Sequence, residues 1–378
     1  DGQWVGNDSN KKIAVINPAT EEILYHVCSA TDENLLFAVK SAEKAFKSWA
    51  FTSAAKKSEI LAGAARNLDV NRKSIAEALT REQGKPIGES TGEVQAAIQS
   101  FQWAAEQVLL IESLNYDDDV GGYTQQSEYE PVGIVAGFSP WNFPIMLTAR
   151  KIAAAIAAGC CIIIKPAEEA PASALAIAKA LESSGLPSGV LNMVFGDPEK
   201  ISNTLISQKS IRKVSLTGSS AVGQKLAKIA STTLTPCILE LGGHAPVLVF
   251  DDVDVDSIAK NLAIFKYRNA GQVCISPSRF FIHKNIFKSF SDKFVEYAAA
   301  LSVGNGSDKD TDIGPLAHER RLEAVDKLVN DALHKGATCL LGGHKIERSG
   351  YFYETTVLTN VPDDAELMKT EIFGPVAR

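Results

Sequence analysis

The pattern of apolar and polar positions predicts alternating strands and helices from residue 134 onwards. Short apolar runs, long enough for a buried strand, alternate with amphipathic stretches of helical period. The predicted order is strand 134–138, helix 146–158, strand 161–165, helix 171–184, strand 191–195, helix 198–207, strand 213–217, helix 220–231 and strand 237–241. Such alternation is typical of a parallel sheet covered on both faces, which binds ligands at the carboxyl ends of its strands.

Other patterns flank this region. Three helices are predicted before it, over 33–50, 54–83 and 89–111. Residues 114–133 change character: Asp117–Asp119 and Gly121–Gly122 indicate a turn, and Tyr123–Tyr129 forms a polar, exposed strand. This predicts a protruding hairpin, either a plain surface hairpin or an oligomer contact, because an exposed strand edge invites pairing.

A second strand-and-helix region begins near Pro246–Phe250. Helices are predicted near 254–270, 286–301 and 318–335. We therefore expect a domain change near residue 241.

Composition narrows the class of protein. The 378 residues suit two or three domains, and the net charge of −7 comes without a basic stripe, so nucleic acid is not an expected partner. The longest apolar run, Ile152–Ile164, is shorter than the roughly 20 residues of a membrane span and contains Gly159, so no membrane is expected. Asp1–Trp4 carries no signal-peptide pattern.

The six cysteines show no C-x-x-C pair and no metal-ligand spacing, so no metal site is expected. This favours free thiols in a reducing cytoplasm. Five of the six are interpreted as small, buried hydrophobic residues.

Three segments carry chemistry: Pro-Trp-Asn-Phe-Pro at Asn142, Glu-Leu-Gly-Gly at Glu240, and Gly-Gln-Val-Cys at Cys274. They supply an amide donor, a carboxylate base and a thiol nucleophile. These are the groups needed to attack a carbonyl, hold the oxyanion and later activate water. No segment contains a histidine, which disfavours a Cys–His protease.

Two further segments follow predicted strands. Gly218 allows a tight turn after Thr217, and the helix that follows offers free N–H groups and the Ser219 hydroxyl to a phosphate. A plain strand–helix turn is the alternative. Lys165 and Glu168 suit the hydroxyls of a ribose, and a carboxylate there repels a 2′-phosphate, favouring NAD over NADP. An exposed ion pair is the alternative.

As a set, these motifs resemble the NAD(P)-dependent aldehyde dehydrogenase family. The resemblance runs from Asn17–Thr20 to Glu371–Val376, and the gap from Glu240 to Cys274, 274 − 240 = 34, is similar to that of the family. It implies an α/β fold: a Rossmann-type parallel-sheet cofactor domain (1–113 and 134–241), a protruding oligomerisation hairpin (114–133) and an α/β catalytic domain (242–378). The family's catalytic domain continues past the last motif.

The resemblance also implies roles for single residues. Cys274 is the nucleophile, the Asn142 amide and the Cys274 N–H form the oxyanion hole, and Glu240 is the general base. NAD is the expected cofactor, and a homodimer or homotetramer is the expected assembly. Residues implied to bind the cofactor are Trp141, Lys165, Glu168, Gly196, Gly218, Ser219, Val222, Gly223, Leu241, Glu371 and Phe373.

Two arginines narrow the substrate class. Arg150 in Thr-Ala-Arg-Lys and Arg268 in Lys-Tyr-Arg-Asn are similar to arginines of members that act on succinate semialdehyde. Two guanidinium groups suit an ω-carboxylate, with ordinary ion pairs as the alternative. Many such members carry a second cysteine where this chain has Ser276, and the local sequence is closer to the α-ketoglutarate-semialdehyde branch. Both substrates stay open.

The expected reaction is therefore the oxidation of a carboxylate-bearing semialdehyde through a Cys274 thioester. An enzyme for uncharged aldehydes is one alternative, and a catalytically silent protein on the same scaffold is another. A CoA-acylating relative is disfavoured because Glu240 offers a base for water.

Overall fold

The structure is a computed structural model that describes residues 2–5, 11–117 and 124–378. In these residues the helices are α1 Asp32–Trp49, α2 Ala54–Val70, α3 Arg72–Gln83, α4 Ile87–Gln107, α5 Pro144–Ala157, α6 Pro171–Ser183, α7 Pro198–Ile206, α8 Ser220–Ser231, α9 Val255–Tyr267, α10 Phe287–Ala299 and α11 Glu319–His334. The strands are β1 Lys12–Ile16, β2 Ile23–Cys28, β3 Leu114–Asp117, β4 Thr124–Ser127, β5 Ile134–Phe138, β6 Cys161–Lys165, β7 Leu191–Met193, β8 Ile211–Thr217, β9 Cys237–Glu240, β10 Pro246–Val249, β11 Arg279–Ile282, β12 Thr338–Leu341, β13 Thr356–Thr359 and β14 Val376–Ala377.

The chain divides into two compact units. The first comprises the described parts of Asp1–Ile13, Val27–Ile75 and Gly92–Glu240. The second comprises Ala14–His26, Ala76–Thr91 and Leu241–Arg378. Two short segments of residues 1–113 thus make most of their contacts within the second unit. The functional domain boundaries given above stay predictions.

The first unit is built on a five-stranded sheet in the order β7-β6-β5-β8-β9, with every neighbouring pair parallel. All residues of β5 and β6 are buried, so helices cover both faces of the sheet centre. The strand order reverses direction at β5, which pairs with β6 on one side and β8 on the other. The predicted α/β fold with a parallel sheet is confirmed.

One predicted helix is wrong in its extent. The single helix predicted over 54–83 is two helices, α2 and α3, which meet at Asn71. Asn71 leaves the helical region (φ −99°, ψ 10°), and its side-chain amide donates to the Asn67 carbonyl oxygen at 2.8 Å. A short polar side chain that binds the backbone locally thus ends α2 between two apolar stripes.

The second unit packs α9, α10 and α11 with two small sheets, the parallel pair β10–β11 and the group β12-β13-β14. Its apolar core includes Tyr267, Phe290, Phe294 and Val325. The Tyr267 hydroxyl donates to the Thr356 carbonyl oxygen at 2.9 Å, which fastens the end of α9.

The two strands of the predicted hairpin are present. β3 and β4 pair antiparallel, from Leu114 with Ser127 to Asp117 with Thr124, and residues 125–130 are exposed. The predicted turn residues Asp118, Asp119, Gly121 and Gly122 lie outside the described residues. Within the described part of the chain, no helix is both long and apolar enough to cross a membrane.

Candidate active site

The carboxyl ends of the first unit's strands collect most of the predicted site residues. The register pairs Phe138 with Lys165 and with Leu216, and Thr217 with Glu240. The segments that follow these strands therefore leave the sheet at one edge, beside the point where the strand order reverses. Ligands of doubly wound sheets bind in this position.

Asn142 lies in the loop between β5 and α5 and is buried, with 3% of its surface exposed. The helix after it begins at Pro144 and has no side-chain cap of its own. Instead, one carboxylate oxygen of Glu93 accepts from the N–H groups of Ile145 (3.0 Å) and Met146 (3.2 Å). Glu93, which the sequence did not single out, thus fixes the backbone beside Asn142 and complements the helix dipole.

Lys165 and Glu168 form a tight pair at the end of β6. The Lys165 ammonium donates to Glu168 Oε2 at 2.6 Å and to the Pro166 carbonyl oxygen at 3.1 Å. Burial raises the pKa of Glu168, and the Lys165 charge opposes that shift. The pair is mostly buried, so the alternative of an exposed ion pair is wrong, and its role toward a ribose stays a prediction.

The loop after β8 is organised by hydrogen bonds of its own. The Gly218 N–H donates to the Glu240 carbonyl oxygen at 3.0 Å. Ser219 is the N-cap of α8, where its hydroxyl accepts from the Val222 N–H at 3.4 Å and its carbonyl oxygen accepts from the Gly223 N–H at 2.9 Å. Ser219 and Val222 are exposed, so this helix end is open to solvent.

Three further residues expected to bind the cofactor differ in their exposure to solvent. Gly196 is buried and has a φ of +141°, and a side chain there would overlap Ser29 and Ala30. The positive φ, together with the close Ser29 side chain, therefore favours glycine at this position. Trp141 is half-buried, and Leu241 is exposed. Their contact with a cofactor stays a prediction.

Glu240 ends β9 and is exposed. Lys151, in α5, donates to the Ser215 hydroxyl oxygen at 3.0 Å, and the Glu240 charge attracts its ammonium group. Burial lowers the pKa of Lys151 to about 8, and Glu240 opposes the shift. The sequence did not single out Lys151, although it adjoins Arg150 at the end of the same motif.

Cys274 belongs to the second unit, is exposed, and lies shortly after a stretch of unusual backbone angles. Cys339 is exposed as well, so its interpretation as a buried hydrophobic residue is wrong. Asn269, Ala270 and Gly271 have φ values of 49°, 53° and 70°. Gln272 is fully buried: its amide donates to the Asn269 carbonyl oxygen at 3.0 Å, and its side-chain oxygen accepts from the Ala317 N–H at 3.0 Å. Buried hydrogen bonds thus hold the left-handed segment that precedes the exposed Cys274.

The last motif packs against two others in the same unit. A side chain at Gly242 would overlap the Glu371 carboxylate, and one at Gly271 would overlap the Gly374 carbonyl. Burial raises the pKa of Glu371, opposed by a hydrogen bond from the Gly243 N–H and by the charges of Arg321 and Lys266. Two motifs that are distant in sequence thus pack against the Glu371–Gly374 segment, one at Glu371 and the other at Gly374.

Phe373 and the two arginines complete the predicted set. Phe373 is half-buried with a φ of +50°. Arg150 is exposed on α5, and Arg268 is half-buried with its guanidinium 5.9 Å from the centre of the Phe265 ring. Arg150 lies in the first unit and Arg268 in the second, so their joint role stays a prediction.

Comparison with known proteins identifies the family of the chain. The sequence model of the aldehyde dehydrogenase family matches residues 4–378. The chain belongs to the aldehyde dehydrogenase family. It is thus an oxidoreductase that acts on small aldehydes, and the family uses NAD or NADP as the hydride acceptor.

Individual relatives are semialdehyde dehydrogenases. The mitochondrial succinate-semialdehyde dehydrogenase of Oryza sativa subsp. japonica is 37% identical, over all of this chain and 71% of the relative. The Escherichia coli succinate-semialdehyde dehydrogenase, whose name gives NADP(+), is 35% identical over all of this chain and 78% of the relative. The crystal structure of succinate-semialdehyde dehydrogenase from Burkholderia pseudomallei superposes with a TM-score of 0.97 at 38% identity, covering all of this chain and 78% of that one.

Proposed function

We propose that this protein oxidises a carboxylate-bearing semialdehyde, succinate semialdehyde or α-ketoglutarate semialdehyde, to the dicarboxylic acid with NAD as acceptor. The observation that carries the proposal is the exposed Cys274, which follows the left-handed segment 269–271 that packs against Gly374 of the Glu371 motif. Asn142 and Glu240 at the sheet edge supply the other two groups the reaction needs. The semialdehyde relatives named above support the substrate class.

The chemistry follows from these groups. The Cys274 thiolate attacks the aldehyde carbon, and the Asn142 amide with the Cys274 N–H stabilises the oxyanion. When bound, the cofactor accepts the hydride from the carbon, which leaves a thioester on Cys274. Glu240 then takes a proton from water, the hydroxide adds to the thioester carbon, and the thiolate leaves as the acid forms.

The residues fit a nicotinamide dinucleotide. Glu371 Oε1 is buried and makes no hydrogen bond among the described residues, which suits a hydroxyl donor such as a ribose. The open N-terminus of α8 suits a pyrophosphate, because its N–H groups and dipole attract anions. Glu168 would hold the adenosine ribose with Lys165 and repel a 2′-phosphate, so we propose NAD over NADP.

Arg150 and Arg268 would bind the ω-carboxylate. A guanidinium forms two parallel hydrogen bonds with a carboxylate, which gives both attraction and orientation. The hairpin of β3 and β4 is proposed as the contact of a homodimer or homotetramer. Light scattering on the protein with and without this hairpin tests that assembly.

The test of the function is NADH formation with succinate semialdehyde, α-ketoglutarate semialdehyde and butanal, each with and without CoA. We expect turnover of a semialdehyde without CoA, and little turnover of butanal. Cys274→Ala should abolish turnover, whereas Cys339→Ala, which changes another exposed cysteine, should not. Equal rates on butanal would support a general aldehyde dehydrogenase, and a requirement for CoA would support an acylating enzyme.

A further inference from the structure

Cys274 lies in the segment 266–276, which we call the turn that carries Cys274. Buried residues at the two ends of this segment bond to each other. Lys266, in the last turn of α9, is 1% exposed, and Ser276, two residues after Cys274, is 4% exposed. The Lys266 ammonium donates to the Ser276 hydroxyl oxygen at 3.2 Å. In return, the Ser276 hydroxyl donates to the Lys266 carbonyl oxygen at 3.3 Å. Two hydrogen bonds thus join the ends of the segment 266–276.

The segment between these two residues needs such a fastening. Asn269 and Ala270 are not glycines, yet both have left-handed backbone angles. Residues of this kind persist only where the surroundings over-determine them. Gln272 holds the middle of the turn through Asn269 and Ala317, and the Ser276 N–H donates to the Val273 carbonyl oxygen at 2.9 Å. The bonds between Lys266 and Ser276 join the two ends of this segment.

An amine in an apolar core is costly, so its presence calls for a specific role. An apolar side chain at position 266 would fill the same space without this cost. Burial and the Arg378 charge lower the pKa of Lys266 to about 7, and the Glu371 carboxylate opposes the shift. The amine therefore contacts the segment that carries Cys274 through Ser276, and it is attracted by the carboxylate proposed to bind the cofactor.

We propose that Lys266 is a positioning residue for Cys274: through Ser276, it holds the nucleophile turn in the conformation that attacks the aldehyde. This inference rests on the proposed function, because it assigns Cys274 the role of nucleophile. The Ser276 hydroxyl accepts from the lysine amine and donates to the Lys266 carbonyl oxygen, so one oxygen atom takes part in both bonds.

The test uses the full-length protein and the variants Lys266→Met, Ser276→Ala and the double variant, with Lys260→Met as the matched control. Lys260 is an exposed lysine on the same helix. Three quantities are measured: kcat per reactive Cys274, KM for aldehyde and cofactor, and the rate of Cys274 alkylation by iodoacetamide. The melting temperature reports any general loss of stability.

We expect kcat per reactive thiol to fall about 10-fold in each single variant, the range for losing one or two buried hydrogen bonds, with KM changed less than about twofold. The alkylation rate should change in the same variants and not in Lys260→Met. The double variant should be no worse than the worse single variant, because the two residues act as one unit.

Two results would overturn the inference: unchanged kcat and alkylation rate with only a lower melting temperature, or additive effects in the double variant. If Lys266→Met does not fold, Ser276→Ala decides alone, since it removes a single oxygen atom. If the wild-type protein oxidises no aldehyde, the proposed function fails, whereas the alkylation rates still report whether the pair positions the thiol.

Discussion

Lys266 gives a stability prediction whose size follows from the structure. Its amine is 1% exposed, and burial lowers its pKa from 10.5 to about 7. Below about pH 7 both the folded and unfolded states hold the proton, so the folded state bears the cost of a buried charge. Between about pH 7 and 10 the folded state has lost the proton and the unfolded state keeps it. The free energy of unfolding therefore rises with pH in this window.

The size of this rise in the free energy of unfolding follows from the lowered pKa of Lys266. Each pH unit in the window adds about 1.4 kcal/mol, so between about pH 6 and pH 9 the lysine contributes a rise of about 2.5 kcal/mol. Lys266→Met lacks this contribution. The difference in free energy of unfolding, wild type minus variant, should grow by that amount across the same range, because all other titrating groups are shared.

The assay is urea unfolding of both proteins at several values between about pH 6 and pH 9, with Lys260→Met as the exposed control. The control's difference from wild type should stay flat. A flat difference for Lys266→Met as well would refute the reasoning. It would mean that the amine keeps its proton in the folded state over the whole range.

Three further predictions concern the site. Glu240→Gln should slow deacylation, so stopped-flow absorbance should record a burst of NADH before a slow steady state; a steady rate without a burst would contradict the role of Glu240. Glu168→Ser should raise kcat/KM for NADP relative to NAD, and a wild-type enzyme equally efficient with both would remove Glu168 from the argument. Arg150→Met and Arg268→Met should each lower kcat/KM for the semialdehyde about 10–150-fold and leave butanal nearly unaffected, whereas equal losses on both would argue against a carboxylate clamp.

Most of the fold was predictable because local pattern and tertiary structure agree. Strands 134–138 and 161–165 were predicted to the residue, since fully buried parallel strands appear as unbroken apolar runs. The break at Asn71 was missed because the apolar stripes continue on both sides of it. One side-chain hydrogen bond decides this boundary, and no periodicity reveals it.

The sequence motifs of the site were predictable, but the contacts that support them were not. The segments after β5, β6 and β8 were expected at one sheet edge, and the parallel register places them there. The supporting residues were missed for one reason: Glu93, Lys151 and Lys266 act on partners distant in sequence or across a turn. The signal available for Lys266 was a charged residue within an apolar helical stripe, which a single sequence does not distinguish from an exposed lysine.

The central claim is that Cys274 carries the acyl group during aldehyde oxidation. Intact-protein mass spectrometry of Glu240→Gln, mixed with NAD and succinate semialdehyde and quenched in acid, tests it most directly. The account predicts one acyl group per chain, located on Cys274 by peptide mapping and absent when Cys274→Ala is added. NADH formed without any acyl group on the protein, or an acyl group that persists in the double variant, would contradict it.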